Sequence, residues 1–100
     1  MSENYTSAGI SLITSEGRFW LGKDQKDRWC DFGGKKKDID ANDPTKTALR
    51  ECYEEAGLTK EQLTIIGNWY YPKSKRVCFF AVLGDPLIYF RWYRWRVVRV

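Results

Sequence analysis

The chain has 100 residues, 43% of them hydrophobic and 16% aromatic, with no histidine, three cysteines and a formal net charge of +4. That length sets one domain with a modest core, and the aromatic content excludes a disordered chain. The lack of histidine excludes His-based triads and the usual zinc sites, while an odd number of widely spaced cysteines argues against a disulfide framework.

In chain order, Ala8-Gly9-Ile10-Ser11-Leu12-Ile13-Thr14 alternates and reads as a strand, and Ser15-Glu16-Gly17 as a turn. Residues 18–23 are expected to pair back as a hairpin. Residues 24–28 read as a polar loop, 29–32 as a short strand and 33–43 as a charged loop. Asp43 suits a helix N-cap, Pro44 the first helical turn and Gly57 the end. Thr59-Lys60-Glu61-Gln62 has the form of a capping box opening a single turn. Residues 63–71 and 76–83 read as strands about a Pro72-Lys73-Ser74-Lys75 turn. Strands on either side of one amphipathic helix predict an α+β domain. Trp20, Trp69, Tyr70 and Tyr71 are expected mainly in the core, with base stacking as the alternative. Reduced thiols suit an intracellular, cytoplasmic compartment. No apolar run reaches the length of a membrane span and no N-terminal apolar signal region appears, so a soluble protein is expected.

The helix holds the most informative residues of the chain. At about 100° per residue, Glu51, Glu54 and Glu55 fall on one stripe, with Ala48, Leu49, Cys52 and Ala56 opposite. Carboxylates at such spacing repel by roughly 0.2–0.5 kcal/mol per pair. A solvated charged face is the simplest reading, with Arg50 as an ordinary surface ion pair. A hard divalent cation bound among oxygen ligands is the other.

The sequence around the stripe separates these readings. Arg50-Glu51-Cys52-Tyr53-Glu54-Glu55-Ala56-Gly57-Leu58 resembles the second half of the Nudix box, R-E-U-x-E-E-x-G-U with U apolar, and every fixed position matches. Trp29-Cys30-Asp31-Phe32-Gly33-Gly34-Lys35 is similar to the strand and double glycine that introduce the family's loop. The first half of the pattern, G-x5-E-x7, fits less well within residues 34–58. Fifteen residues separate Gly34 from Arg50 where the pattern has thirteen, and the position eight before Arg50, normally glutamate, is Asn42. A two-residue insertion accounts for the spacing. Asp38, Asp40 and Asp43 are then available to take over the missing glutamate's role.

The resemblance implies a Nudix-like α/β/α sandwich, with a mixed sheet and one catalytic helix. It further implies Mg²⁺-dependent (or Mn²⁺-dependent) hydrolysis of a phosphoanhydride in a nucleoside diphosphate linked to another group. By motif position, Glu51, Glu54 and Glu55 would hold metal, joined by the Gly34 carbonyl. Glu51 is the preferred general base, and Arg50 would orient the glutamates. Lys35 and Lys37 would meet substrate phosphates, and Asp85 is a possible further ligand.

The C-terminal region divides from the rest at residue 86. Residues 1–86 read as the Nudix-like domain, short at its C-terminal end relative to the family, and 87–100 as a tail or last strand. Residues 1–85 balance thirteen basic against thirteen acidic side chains, so the charge excess lies in Arg91, Arg94, Arg96 and Arg99. The tail is read as a buried strand with basic edges, as an altered terminus, or as a binding segment for nucleic acid or a membrane surface. Two rival functions stay open beside the small-nucleotide hydrolase. One is a non-catalytic domain that binds nucleotide or protein; the other is an RNA-directed, cap-removing enzyme.

Overall fold

The computed structural model describes residues 4–13, 18–23, 29–83 and 95–99. Its strands are β1 (Ser7–Ile13), β2 (Arg18–Lys23), β3 (Trp29–Cys30), β4 (Phe32–Lys35), β5 (Leu63–Tyr71), β6 (Arg76–Leu83) and β7 (Trp95–Arg99), with one helix, α1 (Pro44–Ala56). They form one mixed sheet in the order β3-β2-β1-β6-β5, with β4 also on β1 and β7 also on β2. The α+β class is the one predicted. Among the described residues one helix covers the sheet, on a single face, and no helix is long and apolar enough to cross a membrane.

β1 organises the sheet. It runs parallel to β6 from Ser7↔Arg76 to Ile13↔Val82. Its first half pairs antiparallel with β4, from Ser7↔Lys35 to Ile10↔Phe32, and its end pairs with β2 at Leu12↔Trp20 and Ile13↔Phe19. β4 and β2 therefore divide one strand's pairing between them. The stretch expected as a single strand over 29–32 is broken at Asp31, and the expected loop over 33–43 begins only after Lys35. Residues 29–30 pair with β2 and residues 32–35 with β1, which divides the stretch at Asp31 and holds the glycines in the sheet.

The alternation of β1 and β6 sorts their two faces. Ala8, Ile10, Leu12, Val77, Phe79, Ala81 and Leu83 point to α1, where Ala48, Cys52 and Ala56 meet them. Each large aliphatic or aromatic side chain so buried contributes about 1.5–3 kcal/mol. Leu49 packs against this core from its margin. Burial, reinforced by the negative charge of Glu55, pushes the Cys52 thiol up to about 12, so it behaves as a small apolar side chain.

Local signals were reliable in this region. Asp43 accepts a hydrogen bond from the Thr45 N–H at 2.9 Å, Pro44 opens the helix, and Gly57 closes it in the left-handed region at φ 73°. Thr59 and Gln62 form the expected capping box over a 3₁₀ turn, Lys60–Gln62. β5 and β6 pair about the Pro72–Lys75 turn, with an irregularity between Ile65 and Gly67. The aromatic expectation needs correction. Trp69 and Tyr71 are 61% and 46% exposed, whereas Tyr70 packs on the core. Along β5 the outward-facing side chains are exposed, and Tyr70, Leu63 and Gly67 are the partly buried positions. The side chain of Trp20 and residues 87–94 of the tail lie outside the described residues, and residues 95–99 form β7 against β2.

Candidate active site

Gly33 and Gly34 face opposite sides of β4, and each clears space for a charged side chain. A Cβ on Gly34 would fall 2.6–2.8 Å from the carboxyl atoms of Glu51. A Cβ on Gly33 would strike the guanidinium of Arg76, which lies across Gly9 and Gly33 and binds Asp31 at 2.6 Å. The double glycine is therefore a packing requirement on both faces. Only the Gly34 side meets the glutamate stripe.

On α1, Glu51 is 14% exposed and Glu54 47%. Glu55 is half-buried, with its Oε1 atom buried. Arg50 sits among them rather than beside them. Its Nη1 donates to Glu51 Oε2 at 3.0 Å and to Glu54 Oε1 at 3.1 Å. Among the described residues no group of three or more Asp, Glu or Cys side chains stands arranged to hold a metal ion. The cation between Glu51 and Glu54 is a guanidinium, and it relieves the repulsion that the spacing predicts. The donor set still suits a hard divalent cation: carboxylate oxygens on one helical stripe, with Gly34 removing the atoms that would crowd Glu51.

The rest of the Arg50 fork points to the preceding loop. Nε donates to Asp40 Oδ1 at 2.8 Å, and Nη2 donates to Asp40 Oδ2 at 2.9 Å and to the Lys35 carbonyl at 3.1 Å. Asp40 lies in a 3₁₀ turn, Asp38–Asp40, and is 2% exposed. Its Oδ2 also accepts from the Lys37 N–H at 2.9 Å and from the Thr47 hydroxyl at 2.8 Å, and Tyr5 joins Thr47 at 2.7 Å. Hydrogen bonding from Arg50 above all holds the Asp40 carboxyl well below the usual carboxylate range. The same contact raises Arg50, which stays charged.

The anchor of Arg50 is thus Asp40, not the side chain at Asn42. Counting back from Arg50 lands on Asn42, but counting forward from Gly34 lands on Asp40, the sixth residue on. The extra residues fall after the acid and not before it. Neither Asp38 nor Asp43 meets Arg50 in the ion pairs described, and Asp43 is occupied as the helix cap. Tyr5 and Thr47 were not singled out by the sequence, because a buried hydroxyl pair has no motif.

The lysines divide as well. Lys36 donates to Asn42 Oδ1 at 2.9 Å and lies 5.0 Å from the centre of the Tyr5 ring. Lys35 and Lys37 have exposed side chains beside the Gly34–Asp40 segment. Asp85 lies outside the described residues.

Comparison with known proteins agrees with this geometry. A sequence model of the NUDIX domain matches residues 4–98. No curated protein matches the chain. Among solved structures, the Ap4A hydrolase of C. elegans is 25% identical, with a TM-score of 0.76 over 95% of this chain and 80% of that one. A Nudix hydrolase from M. smegmatis, RenU, is 21% identical, with a TM-score of 0.69 over 94% and 70%. A NUDIX-family hydrolase from Clostridium perfringens, 12% identical, reaches 0.66 over 99% and 83%.

Proposed function

Because the chain belongs to the Nudix family of pyrophosphohydrolases, we propose that it cleaves a phosphoanhydride in a nucleoside diphosphate linked to a second group, with Mg²⁺ or Mn²⁺ as cofactor. The reading rests most on one observation, the Glu51 carboxylate lodged against Gly34 at the start of the loop. Enzymes of this family generally use a divalent metal. In the proposed site Glu51, Glu54 and Glu55 would hold it, and the Gly34 carbonyl would be a further ligand. When bound, such a cation offsets phosphate charge and lowers the pKa of a bound water.

The chain's own residues supply the rest. Glu51, the least exposed of the helix pair bound by Arg50, accepts the proton of the attacking water. Arg50 is a positioning residue: fixed by Asp40, it holds Glu51 and Glu54 at a set spacing. Lys35 and Lys37 meet substrate phosphates, which Lys36 is less free to do because of its contacts with Asn42 and Tyr5. The Ap4A hydrolase among the structural neighbours makes diadenosine tetraphosphate the first substrate to try.

The test is a hydrolysis screen with Mg²⁺ over nucleoside diphosphate derivatives and dinucleoside polyphosphates, run on the parent and on a Glu54→Gln, Glu55→Gln variant. Nucleoside mono- or polyphosphate products are expected from the parent, with turnover lowered roughly a hundredfold or more in the variant. Equal turnover in the two proteins would end the catalytic reading.

A further inference from the structure

The geometry points to Asp40 and the two residues after it as one unit: we propose that Ala41 and Asn42 are the insertion that lets an aspartate, one methylene shorter than glutamate, anchor Arg50. The anchoring itself is read from contacts alone. Its consequence for metal binding rests on the proposed function.

Three observations carry the proposal. First, the Asp40 carboxylate is 2% exposed and closely ringed, taking donors from Lys37 N, Thr47 Oγ1, and both Nε and Nη2 of Arg50. A longer acid grown from the same backbone position would overshoot this ring. Second, Ala41 and Asn42 both lie in the left-handed region, at φ 53° and 58°. Two such residues in tandem reverse the chain tightly, and the Asp43 N–H closes the turn on the Asp40 carbonyl at 3.0 Å. Third, the turn delivers the chain at once to Asp43, the N-cap of α1, while Asn42 is tied back to Lys36 at 2.9 Å. The reversal brings the Asp40 backbone towards Arg50 by using up the two extra residues, and the helix still starts in register.

Sequence spacing agrees. Asp40 stands where the G-x5-E pattern has its acid, and nine residues instead of seven follow it before Arg50. An alanine held at positive φ is strained, which is expected where the surrounding contacts determine the backbone.

A mutational cycle tests the coupling: Asp40→Glu, deletion of residues 41–42, and the two combined. Each protein is measured for thermal unfolding without metal and for Mn²⁺ affinity by the electron paramagnetic resonance of free Mn²⁺. Each single change is expected to lower the midpoint and to weaken Mn²⁺ binding by about 10–100-fold, the range seen when a group supporting a metal ligand is lost. The combined variant is expected to recover most of both losses, which independent effects cannot do. A single variant that does not fold counts as a loss, and folding of the combined variant as its rescue. Leu83→Ala, in the core away from the site, lowers the midpoint without changing Mn²⁺ affinity. Losses that simply add in the combined variant, or a harmless Asp40→Glu, would overturn the proposal. If the parent binds no Mn²⁺, the proposed function falls, and recovery of the unfolding midpoint still decides the coupling.

Discussion

The Asp40 carboxylate is buried, ionised and in contact with three different residues, and Arg50 makes two of its four hydrogen bonds. Its folded-state pKa lies below the ordinary value of 3.8, so the unfolded chain takes up the proton first. The stabilisation is therefore complete above that ordinary value and is lost as pH falls through it towards the folded value. Urea unfolding of the parent should weaken in acid below about pH 4, whereas Asp40→Asn should lack that part of the decline. At neutral pH, Asp40→Asn should cost about 3 kcal/mol, because it breaks the buried, two-pronged ion pair with Arg50. A neighbouring residue gives the opposite sign. Ala41 sits at φ 53°, a conformation that costs an L-residue roughly 1–2 kcal/mol. Glycine returns about 0.5–1 kcal/mol of that through unfolded-state freedom. Ala41→Gly should thus stabilise by up to about 1 kcal/mol in denaturant titrations. A clear destabilisation would show that the left-handed turn is not what constrains this position.

At the scale of elements, α1 and β5 contrast. The helix is set by local rules: a capping aspartate, a proline in the first turn, a terminal glycine and an apolar stripe. Its glutamate stripe is tolerated because Arg50 lies between Glu51 and Glu54, and tertiary contacts with Asp40 and the Lys35 carbonyl keep it there. β5 reads Leu-Thr-Ile-Ile-Gly-Asn-Trp-Tyr-Tyr and carries no charge. Among the described residues it has β6 on one side only, and Ile66 and Trp69 are 60% and 61% exposed. An uncharged, aromatic edge is prone to pair with other chains. Ile66→Lys should therefore reduce concentration-dependent aggregation in light scattering while leaving hydrolysis unchanged. Unaltered aggregation would place the sticky surface elsewhere.

Across the whole molecule, β1 joins what the site needs: its N-terminal half fixes the glycines of β4, and its core face supports α1. Ile10, fully buried and paired with both Phe32 and Phe79, sits at that junction. Ile10→Ala should cost about 2–5 kcal/mol, a large share of the roughly 5–15 kcal/mol typical of a domain. Activity and circular dichroism should then be lost together on mild heating; activity lost with the fold intact would contradict this. The α+β class, the caps of α1, the β5–β6 hairpin and the family were all legible in the chain itself. Each depends on residues a few positions apart, where periodicity, turn chemistry and motif spacing act directly. Which acid meets Arg50 was not legible, because spacing alone allows three aspartates and the answer depends on how residues 41 and 42 turn the backbone. Nor was the opposed use of Gly33 and Gly34, since Arg76 reaches Asp31 across 45 positions and Tyr5 reaches Thr47 across 42. The sequence by itself determined the glutamates and the helix that presents them. Only the packing of β1, β4 and α1 decided what surrounds those glutamates, because contacts between distant segments exist only once the sheet has brought them together.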